Sequence, residues 1–309
     1  MHNNKKIGVV IPCYRARKTI IKVLNSLPNY VDLVVLVDDK CPEKTGDFVK
    51  KNISKEKKKK ISILYNELNQ GVGATVVKGY RELLKSKVDI LVKIDSDDQM
   101  NSKQMIKLIN PISKGKYNYV KGTRFKSKND IKKVPFFRKI GNYMISVFSK
   151  ITTGYWDIFD FLNGYTAIDK ISVKKILNFK IDKRFFFETH MLVLLNVVKC
   201  KVKDQQVTIN YKNNISNFFA FKEFFNFFYK NIINYFFRIN LRYLRNNKII
   251  ILFYVTFLIS SCIYLMIIIS LNYLKMISFE IIYVPVISSL IILFLLFIYD
   301  YLNNPNNLR

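Results

Sequence analysis

Short apolar runs alternate with stretches of helical spacing through the N-terminal part of the chain. Three runs, KIGVVI at 6–11, LVVLV at 33–37 and ISILYN at 61–66, are rich in β-branched residues, as strands buried on both faces are. A fourth run, DILVKID, ends at Asp95. Between the runs, ARKTIIKVLNSL and VGATVVKGYRELLKS repeat apolar residues at helical spacing. The order β-α-β-α-β-α-β predicts an α/β domain whose mostly parallel central sheet is covered by helices.

Long uninterrupted apolar runs replace this pattern from Lys248 onward. Residues 249–271 carry no charge, and a second apolar run covers 281–299. A helix of about 20 residues crosses a hydrocarbon core of roughly 30 Å, so both runs predict transmembrane helices. Buried helices of a soluble core are the weaker alternative, because they are usually shorter and keep a polar stripe.

Charged residues predict how the two spans are oriented. The entrance of the first span carries Arg238, Arg242, Arg245 and Lys248. The connection at 272–280 offers only Lys275 as a basic residue, so the basic side is expected to be cytoplasmic. The N-terminal apolar stretch is short and broken by Pro12, which favours a strand over a signal peptide. We therefore expect an inner or plasma membrane protein with two spans, whose catalytic domain and C-terminus are cytoplasmic.

Phe and Tyr alternate with Lys and Arg between the α/β domain and the first span. This pattern, at 216–247, predicts amphipathic helices in the membrane interface, although packing on the α/β domain is an equally open use of one face. The expected organisation is an α/β domain at 1–215, juxtamembrane helices at 216–247 and a membrane domain at 248–309.

The net charge of +29 raises the question of a nucleic-acid partner. Beside two spans, attraction to anionic lipid headgroups is the simpler explanation, at about 1 kcal/mol for each near-surface Lys or Arg. Membrane lipids are therefore expected as partners and nucleic acid is not. The four cysteines, Cys13, Cys41, Cys200 and Cys262, lack the spacing of a zinc or redox motif. The only histidines are His2 and His190, so a bound metal has to be held by carboxylates.

Polar residues follow the predicted strands at the edge where parallel sheets bind ligands. In DSDD, at 95–98, alternate carboxylates can share Mg²⁺ or Mn²⁺, which in turn holds a diphosphate; an acidic turn is the alternative. Asp38 and Asp39 follow the second strand and can accept hydrogen bonds from a base or ribose, or form a turn. The glycines of NQGVGA, at 69–74, either admit a ligand or cap the turn.

Five motifs in order, IPCYRARKTI, VDDKCPE, NQGVGA, KIDSDDQM and VKGTRF, resemble glycosyltransferase family 2 over residues 6 to about 215. The likeness is to its dolichyl-phosphate mannose synthase-like and polyprenyl-phosphate branch. It implies a GT-A type nucleotide-diphospho-sugar-binding fold, with Asp95 and Asp97 as ligands of Mg²⁺ or Mn²⁺. The nucleotide-sugar site that it implies consists of Pro12, Tyr14, Asp38, Asp39, Asn69, Gly73, Asp95 and Ser96.

The same resemblance suggests an acceptor site. Arg124 of GTRF falls where related enzymes place a basic residue near phosphate, and Arg138 is a second candidate that can equally face lipid headgroups. Asp160 and Gly164 match the family's Asp-x-x-x-Gly-aromatic segment. The candidates for the general base are Asp160, Glu188 and Asp157. A lipid phosphate is already ionised, so positioning matters more here than a base.

Two positions depart from the family pattern. The segment Arg15, Ala16 and Arg17 stands where relatives often have Asn-Glu-Glu, and His190 stands where an acidic residue is common. The nucleotide contacts after the first strand and the role of the segment around His190 are therefore expected to differ.

The favoured function is an inverting transfer from a UDP- or GDP-sugar to a polyprenyl phosphate. A first alternative is extension of a lipid-linked saccharide in O-antigen or exopolysaccharide assembly; the only tryptophan is Trp156 and no Gln-x-x-Arg-Trp is present, which disfavours a processive synthase. A second alternative is a non-catalytic membrane scaffold. The sugar, the nucleotide and assembly into a homo-oligomer stay open.

Overall fold

The computed structural model of the protein describes residues 1–124, 136–208 and 221–244, and further along Met266, Phe294 and 297–307. The chain divides into two compact units, Met1–Tyr235 and Phe236–Arg309.

A seven-stranded sheet forms the centre of the first unit. The strands are β1 (Ile7–Cys13), β2 (Val31–Asp38), β3 (Ile61–Tyr65), β4 (Ile90–Lys93), β5 (Tyr119–Thr123), β6 (Thr166–Asp169) and β7 (Val202–Gln206). Their order across the sheet is β3-β2-β1-β4-β6-β5-β7. The pairs β1–β2, β1–β4, β2–β3 and β5–β7 are parallel, whereas β6 runs antiparallel to β4 and β5. The predicted α/β architecture with a mostly parallel sheet is confirmed.

The described helices lie between and after these strands in the chain, and those of the two core layers cover both faces of the sheet. They are α1 (Ile20–Ser26), α2 (Thr45–Asn52), α3 (Lys55–Lys58), α4 (Val72–Lys85), α5 (Met105–Ser113), α6 (Phe136–Thr153), α7 (Lys170–Ile176), α8 (Phe187–Val197) and α9 (Phe221–Ile239). A 3-10 turn covers Ser102–Gln104, and a π-helical turn covers Asn240–Leu244. The first two helices that the sequence predicts correspond to α1 and α4.

The period of two along the strands divides the core into two layers. On β1, Val9 and Ile11 point to the layer that packs on α1 and α5, whereas Val10 points to the layer that packs on α4 and α8. Every residue of β1 is buried, which is why this strand reads as a continuous apolar run.

The register of the strands determines which side chains meet at the carboxyl edge. Cys13 at the end of β1 pairs with Asp38 at the end of β2. On the other side, Thr166 at the start of β6 pairs with Lys93 of β4 and with Lys121 of β5. Lys93, Thr166 and Lys121 therefore form one row across three strands.

The second unit contains a buried ion pair. Arg238 is fully buried and donates from Nη1 to Asp300 Oδ1 at 2.6 Å and from Nη2 to Oδ2 at 2.7 Å. The Tyr243 hydroxyl donates to Asp300 Oδ1 at 2.7 Å, and Arg242 donates to the carbonyl oxygen of Asn303. These contacts join the residues before the first predicted span to those after the second.

Within the part of the chain that the structure describes, no helix combines the length and the apolar character that crossing a membrane requires. The predicted spans at 249–271 and 281–299 lie outside that part, apart from Met266, Phe294 and 297–299.

Candidate active site

Asp95, Ser96 and Asp97 form the first turn after β4. Asp97 Oδ1 accepts a hydrogen bond from the backbone of Gln99 at 3.0 Å. Partial desolvation and the charge of Asp95 raise the pKa of Asp97. Ser96 is buried, and its carbonyl oxygen accepts a hydrogen bond from the Thr19 hydroxyl at 2.6 Å. This bond holds the backbone of the turn in place.

Lys93, the last residue of β4, holds one of these aspartates from beneath. Its buried ammonium lies 2.9 Å from Asp95 Oδ1 and 3.0 Å from Glu188 Oε1. Burial lowers the pKa of Lys93, but the charges of Asp95 and Glu188 outweigh burial and keep the pKa above its ordinary value. Glu188, one of the candidate bases, is thus a buried ion-pair partner in the first turn of α8.

Lys121 of β5 is a second fully buried lysine in the same row. It donates to the carbonyl oxygen of Asn163 and so fixes the turn that precedes Gly164. Burial lowers the pKa of Lys121 to about 8, although the charges of Glu188 and Asp160 oppose the shift. Lys93 thus contacts a carboxylate of the acidic turn, whereas Lys121 holds the backbone before Gly164.

Gly164 leaves the space that this arrangement needs. A β-carbon at this position would lie 2.1 Å from Lys93 Nζ and 2.7 Å from Asp95 Oδ2. Any side chain at Gly164 would therefore displace the ammonium or the carboxylate, which gives the glycine of the Asp-x-x-x-Gly segment a steric reason.

Asp160, the first candidate for the general base, is occupied by Arg124. Arg124 Nε donates to Asp160 Oδ2 at 2.6 Å and Nη2 donates to Oδ1 at 2.8 Å. The carboxylate is only 2% exposed. A buried carboxylate paired in this way orients the guanidinium and is poorly suited to accept a proton from an acceptor. Asp157, the third candidate, is exposed.

The pair lies beside a small open pocket. Its lining consists of Arg124, Ile145, Ser146, Phe159, Asp160, Phe161 and Leu162. A guanidinium beside apolar walls matches a phosphate group joined to a hydrocarbon. The ammonium nitrogen of Lys150, in the last turn of α6, lies 4.1 Å from the centroid of the Phe159 ring. Arg138, the second predicted phosphate ligand, has a side chain outside the described residues.

Asp38 shapes a loop and does not face an open cleft. Its Oδ1 accepts from the backbone nitrogen of Cys41 and its Oδ2 from that of Gly46, both at 2.7 Å, and the residue is 2% exposed. Both oxygens therefore serve the turn between β2 and α2, and contact between Asp38 and the nucleotide stays a prediction. The turn reading of the sequence describes Asp38 better.

Asp39 organises the NQG loop. Its Oδ1 accepts from Asn66 Nδ2 at 2.7 Å and from the backbone of Gln70 at 2.8 Å, while Oδ2 accepts from the backbone of Gly71 at 2.8 Å. Asn69 Nδ2 donates to the Asp39 carbonyl at 3.4 Å. The residues after β2 and β3 therefore form one hydrogen-bonded rim at the carboxyl edge.

The glycines of the NQGVGA loop admit another part of the chain. Gly71 has a φ of 92°, and a β-carbon there would lie 2.6 Å from the carbonyl oxygen of Lys183. A β-carbon on Gly73 would lie 2.2 Å from the carbonyl oxygen of Asp182. Close approach of this backbone therefore explains both glycines, and Gly73 faces the chain before α8.

His190 secures that approaching segment. Its Nδ1 accepts from the backbone nitrogen of Asp182 at 2.9 Å, and Lys230 of α9 pairs with the Asp182 carboxylate at 2.6 Å. Burial lowers the pKa of His190 to about 4, so the ring is neutral at physiological pH. A neutral acceptor replaces the acidic residue that is common at this position.

The end of β1 contributes an exposed aromatic ring. Pro12 is buried within the strand, whereas Tyr14 is 46% exposed just beyond it, with the Arg15 guanidinium carbon 5.5 Å from the ring centroid. Burial raises the pKa of the Cys13 thiol, and the charges of Asp38 and Asp95 raise it further. The ends of β1, β2 and β4 therefore converge, with Tyr14 as the side chain available for stacking.

Sequence reasoning missed the two buried lysines. Lys93 and Lys121 each interrupt an apolar run, ILVKI and YVKG, and a charge inside a buried strand was the available signal. Among the residues that the structure describes, no three His, Cys, Asp or Glu side chains form a cluster that could enclose a metal ion. That Asp95 and Asp97 bind the metal ion stays a prediction.

The profile of glycosyl transferase family 2 matches residues 8–177, which includes every strand from β1 to β6. The chain belongs to glycosyl transferase family 2. The resemblance drawn from its motifs is confirmed, and the protein is a glycosyltransferase.

Two relatives show which enzymes this glycosyltransferase is similar to. It is 28% identical over 217 residues, or 67% of this chain and 85% of the relative, to UDP-N-acetylglucosamine–dolichyl-phosphate N-acetylglucosaminyltransferase of Methanococcus voltae. It is 24% identical over 164 residues, or 52% of this chain and 65% of the relative, to undecaprenyl-phosphate mannosyltransferase of Micrococcus luteus.

Solved structures confirm the fold of the glycosyltransferase. Glucosyl-3-phosphoglycerate synthase of Mycobacterium tuberculosis, in complex with Mn²⁺, UDP and glucosyl-3-phosphoglycerate, has a TM-score of 0.52 at 15% identity, covering 76% of this chain and 80% of its own. The same protein with Mg²⁺ and UDP has a TM-score of 0.52 at 15% identity, with 76% and 79% covered. The predicted GT-A type fold is the one these structures share.

Proposed function

We propose that this glycosyltransferase transfers a sugar, with inversion, from a nucleotide-diphosphate sugar to a polyprenyl phosphate at the cytoplasmic face of a membrane. The observation that carries the proposal is the pocket in which Arg124, held by Asp160, lies beside the apolar side chains of Ile145, Phe159 and Leu162. Two relatives are named for transfer to dolichyl and undecaprenyl phosphate, which supports the same acceptor class.

Asp95 and Asp97 would hold Mg²⁺ or Mn²⁺ on the donor side. Two carboxylates fit these ions, since Mg²⁺ keeps several waters and binds through one or two carboxylates together with substrate phosphates. When bound, the ion neutralises the charge that develops on the departing diphosphate. The similar solved structures contain Mn²⁺ or Mg²⁺ with UDP. Tyr14 offers an exposed ring for the base, and the Asp39-organised loop forms the adjoining rim.

Arg124 would bind and orient the acceptor phosphate. A phosphate oxygen attacks the anomeric carbon from the face opposite the diphosphate, the bond from that carbon to the diphosphate oxygen breaks, and nucleoside diphosphate leaves. The attacking oxygen is already ionised, so no proton has to be removed. Asp160 then acts by fixing Arg124, which agrees with its buried and paired carboxylate.

Membrane attachment is part of the same proposal. The apolar runs at 249–271 and 281–299 would cross the bilayer as two helices. The pair between Arg238 and Asp300 supports this topology, because residues in direct contact before the first run and after the second must lie on one side of the membrane. Basic residues at that side favour the cytoplasm.

Helix α9 would lie at the membrane interface. Its outer face carries large apolar side chains at helical spacing that remain solvent-exposed: Phe225 at 54%, Tyr229 at 63%, Ile232 at 44% and Ile233 at 46%. The opposite face packs on the α/β domain, where Asn231 accepts from Thr152 and Phe227 contacts Phe186. Both uses that the sequence left open are thus compatible, one for each face.

The decisive experiment gives the purified full chain Mn²⁺, undecaprenyl phosphate and labelled UDP- or GDP-sugars, and separates lipid products by chromatography. We expect a monosaccharide phospholipid that disappears with chelator and in Asp97→Asn. The matched control, Asp47→Asn, changes an exposed aspartate that accepts from the Tyr65 hydroxyl and should keep activity. Product only on a lipid-linked saccharide, or undiminished activity of Asp97→Asn, would overturn the proposal.

Topology has its own test. Leu302 is 62% exposed, and Leu302→Cys should react with a membrane-impermeant maleimide in inside-out vesicles but not in right-side-out vesicles. Labelling only in right-side-out vesicles would contradict a cytoplasmic C-terminus.

A further inference from the structure

We propose that Glu188 is a positioning residue that sets, through Lys93, how strongly Asp95 attracts the donor's metal ion. The inference rests on the proposed function, because it assigns Asp95 to the metal. It replaces the reading of Glu188 as a general base. Lys93 of β4, Glu188 of α8 and Gly164 before β6 are buried in the first unit, and Asp95 follows β4 with its side chain 30% exposed.

Lys93 is the bridge between the two carboxylates. Its ammonium lies 2.9 Å from Asp95 Oδ1 and 3.0 Å from Glu188 Oε1, and its side chain is 2% exposed. Gly164 closes the other side, since a β-carbon there would lie 2.7 Å from Asp95 Oδ2. Asp95 is therefore held in place by Lys93 beneath it and by the backbone of Gly164 beside it.

The charges explain why Glu188 is needed. Lys93 and Lys121 flank Thr166 in one row of the sheet, so their side chains lie on the same face of the sheet. Glu188 Oε1 lies 3.0 Å from the Lys93 ammonium, which lies 2.9 Å from Asp95 Oδ1 on its other side. Without the charge of Glu188, the Lys93 ammonium would act on Asp95 alone, and an arriving cation would meet a more fully neutralised carboxylate. Glu188 takes up part of this positive charge and leaves Asp95 available to a metal.

The position of Glu188 argues against a catalytic role. It is 7% exposed and bound to an ammonium, and it lies on the inner side of Lys93, with Asp95 on the other. A general base has to come within hydrogen-bond reach of the proton that it removes, or reach it through one water. Glu188 instead reaches the reaction only through Lys93 and Asp95.

The test measures Mn²⁺ binding to the full chain in the presence of UDP, from the electron paramagnetic resonance signal of free Mn²⁺. We expect Glu188→Gln to weaken binding by about tenfold, the effect of one charge acting over a few ångströms in a partly screened site. The double variant Lys93→Met/Glu188→Gln removes both charges of the pair and should bind more tightly than Glu188→Gln. The matched control is Glu82→Gln, which changes a half-buried glutamate of α4 that pairs with Lys85 at 2.6 Å and should bind as wild type does.

Activity gives a second readout. Saturating Mn²⁺ should restore most of the turnover of Glu188→Gln, with the pH profile unchanged, whereas loss of a general base would lower turnover at every metal concentration. Wild-type binding by Glu188→Gln, or a double variant no better than the single one, would overturn the inference. If Glu188→Gln does not fold, Lys93→Met decides: it should bind Mn²⁺ more tightly than wild type does, and adding Glu188→Gln to it should change binding little, because Glu188 acts through Lys93. A wild-type chain that binds no Mn²⁺ would count against the proposed function itself.

Discussion

Arg124 and Asp160 form a two-point ion pair, with Nε 2.6 Å from Oδ2 and Nη2 2.8 Å from Oδ1. The backbone nitrogen of Arg124 also donates to Asp160 Oδ2 at 3.2 Å. Planar pairing of this kind fixes the direction of a guanidinium as well as its place. The guanidinium is 26% exposed whereas the carboxylate is 2% exposed, so the cation is the member of the pair that a substrate can reach.

Asp160→Asn should therefore weaken binding of the acceptor more than it lowers kcat. Asparagine keeps the size of the side chain but loses the charge and one acceptor oxygen, which loosens Arg124. We expect the KM for polyprenyl phosphate to rise about tenfold, in line with the loss of a charge-assisted hydrogen bond, while the pH dependence of turnover stays as in wild type. An active Asp160→Asn beside an inactive Asp157→Asn would instead identify Asp157 as a base.

Gly164→Ala should lower activity because the added methyl group occupies the space of Lys93 and Asp95. Its β-carbon would lie 2.1 Å from Lys93 Nζ, so the ammonium and Asp95 have to move. A displacement of about 1 Å at reacting groups can lower activity by about 100-fold, and we expect a loss of that order. The control is Gly115→Ala, where nothing lies within 4 Å; its φ of +68° costs some stability but should leave kcat unchanged. Equal effects of the two substitutions on kcat would refute the steric reason.

The pH dependence of stability should reflect His190. Its pKa in the folded chain is about 4, below the ordinary 6.5, because burial disfavours the charged ring. Between these values the unfolded chain binds the extra proton, so stability is lost as the pH falls through this window, by at most about 3 kcal/mol. His190→Asn keeps an acceptor near the Nδ1 position and should lose less melting temperature between about pH 7 and about pH 4.5.

The pH dependence of His190→Asn has to be compared with that of wild type, because Asp204 also titrates in this pH range. Burial raises the pKa of Asp204 to about 7, so the folded chain holds a proton that the unfolded chain releases above its ordinary 3.8. Its effect on stability therefore opposes that of His190 over the same window. An identical pH dependence in wild type and His190→Asn would show that His190 contributes nothing.

Removing one partner of the Arg238–Asp300 ion pair should lower the stability of the chain more than removing both partners does. Asp300→Leu leaves the buried guanidinium of Arg238 without its carboxylate, and a change of this kind costs about 3–5 kcal/mol. Arg238→Met/Asp300→Leu removes both charges and should recover much of the melting temperature of the full chain in detergent. A double variant less stable than Asp300→Leu would contradict this account.

Much of the donor side could be predicted from local sequence. The strands β1 to β4 are apolar and β-branched, and the carboxylates at 95–97 follow directly from the end of the fourth strand. The strands β5 to β7 were not predicted, because Lys121, Thr166 and Asp204 break their apolar pattern. Those polar residues are buried because they face one another across the sheet, which periodicity does not reveal.

The pairings within the site were beyond sequence reasoning. Lys93 and Glu188 are 95 residues apart, and Arg124 and Asp160 are 36 residues apart. The family resemblance gave Arg124 and Asp160 separate roles, as phosphate ligand and base, whereas the structure joins them. Similarly, the glycines at 71 and 73 had two open explanations, and only the fold shows that the chain at 182–183 approaches them.

The reversed direction of β6 brings a separate segment of the chain to the proposed acceptor site. Since β6 starts where β4 ends, the segment that carries Asp160 and Gly164 arrives at the metal carboxylates from outside and only then enters the core. An insertion before β6 would enlarge the acceptor wall without changing the spacing of the parallel strands beneath the nucleotide. A descendant enzyme could therefore adapt to a longer, shorter or differently saturated lipid by altering that segment, while inheriting its donor half unaltered.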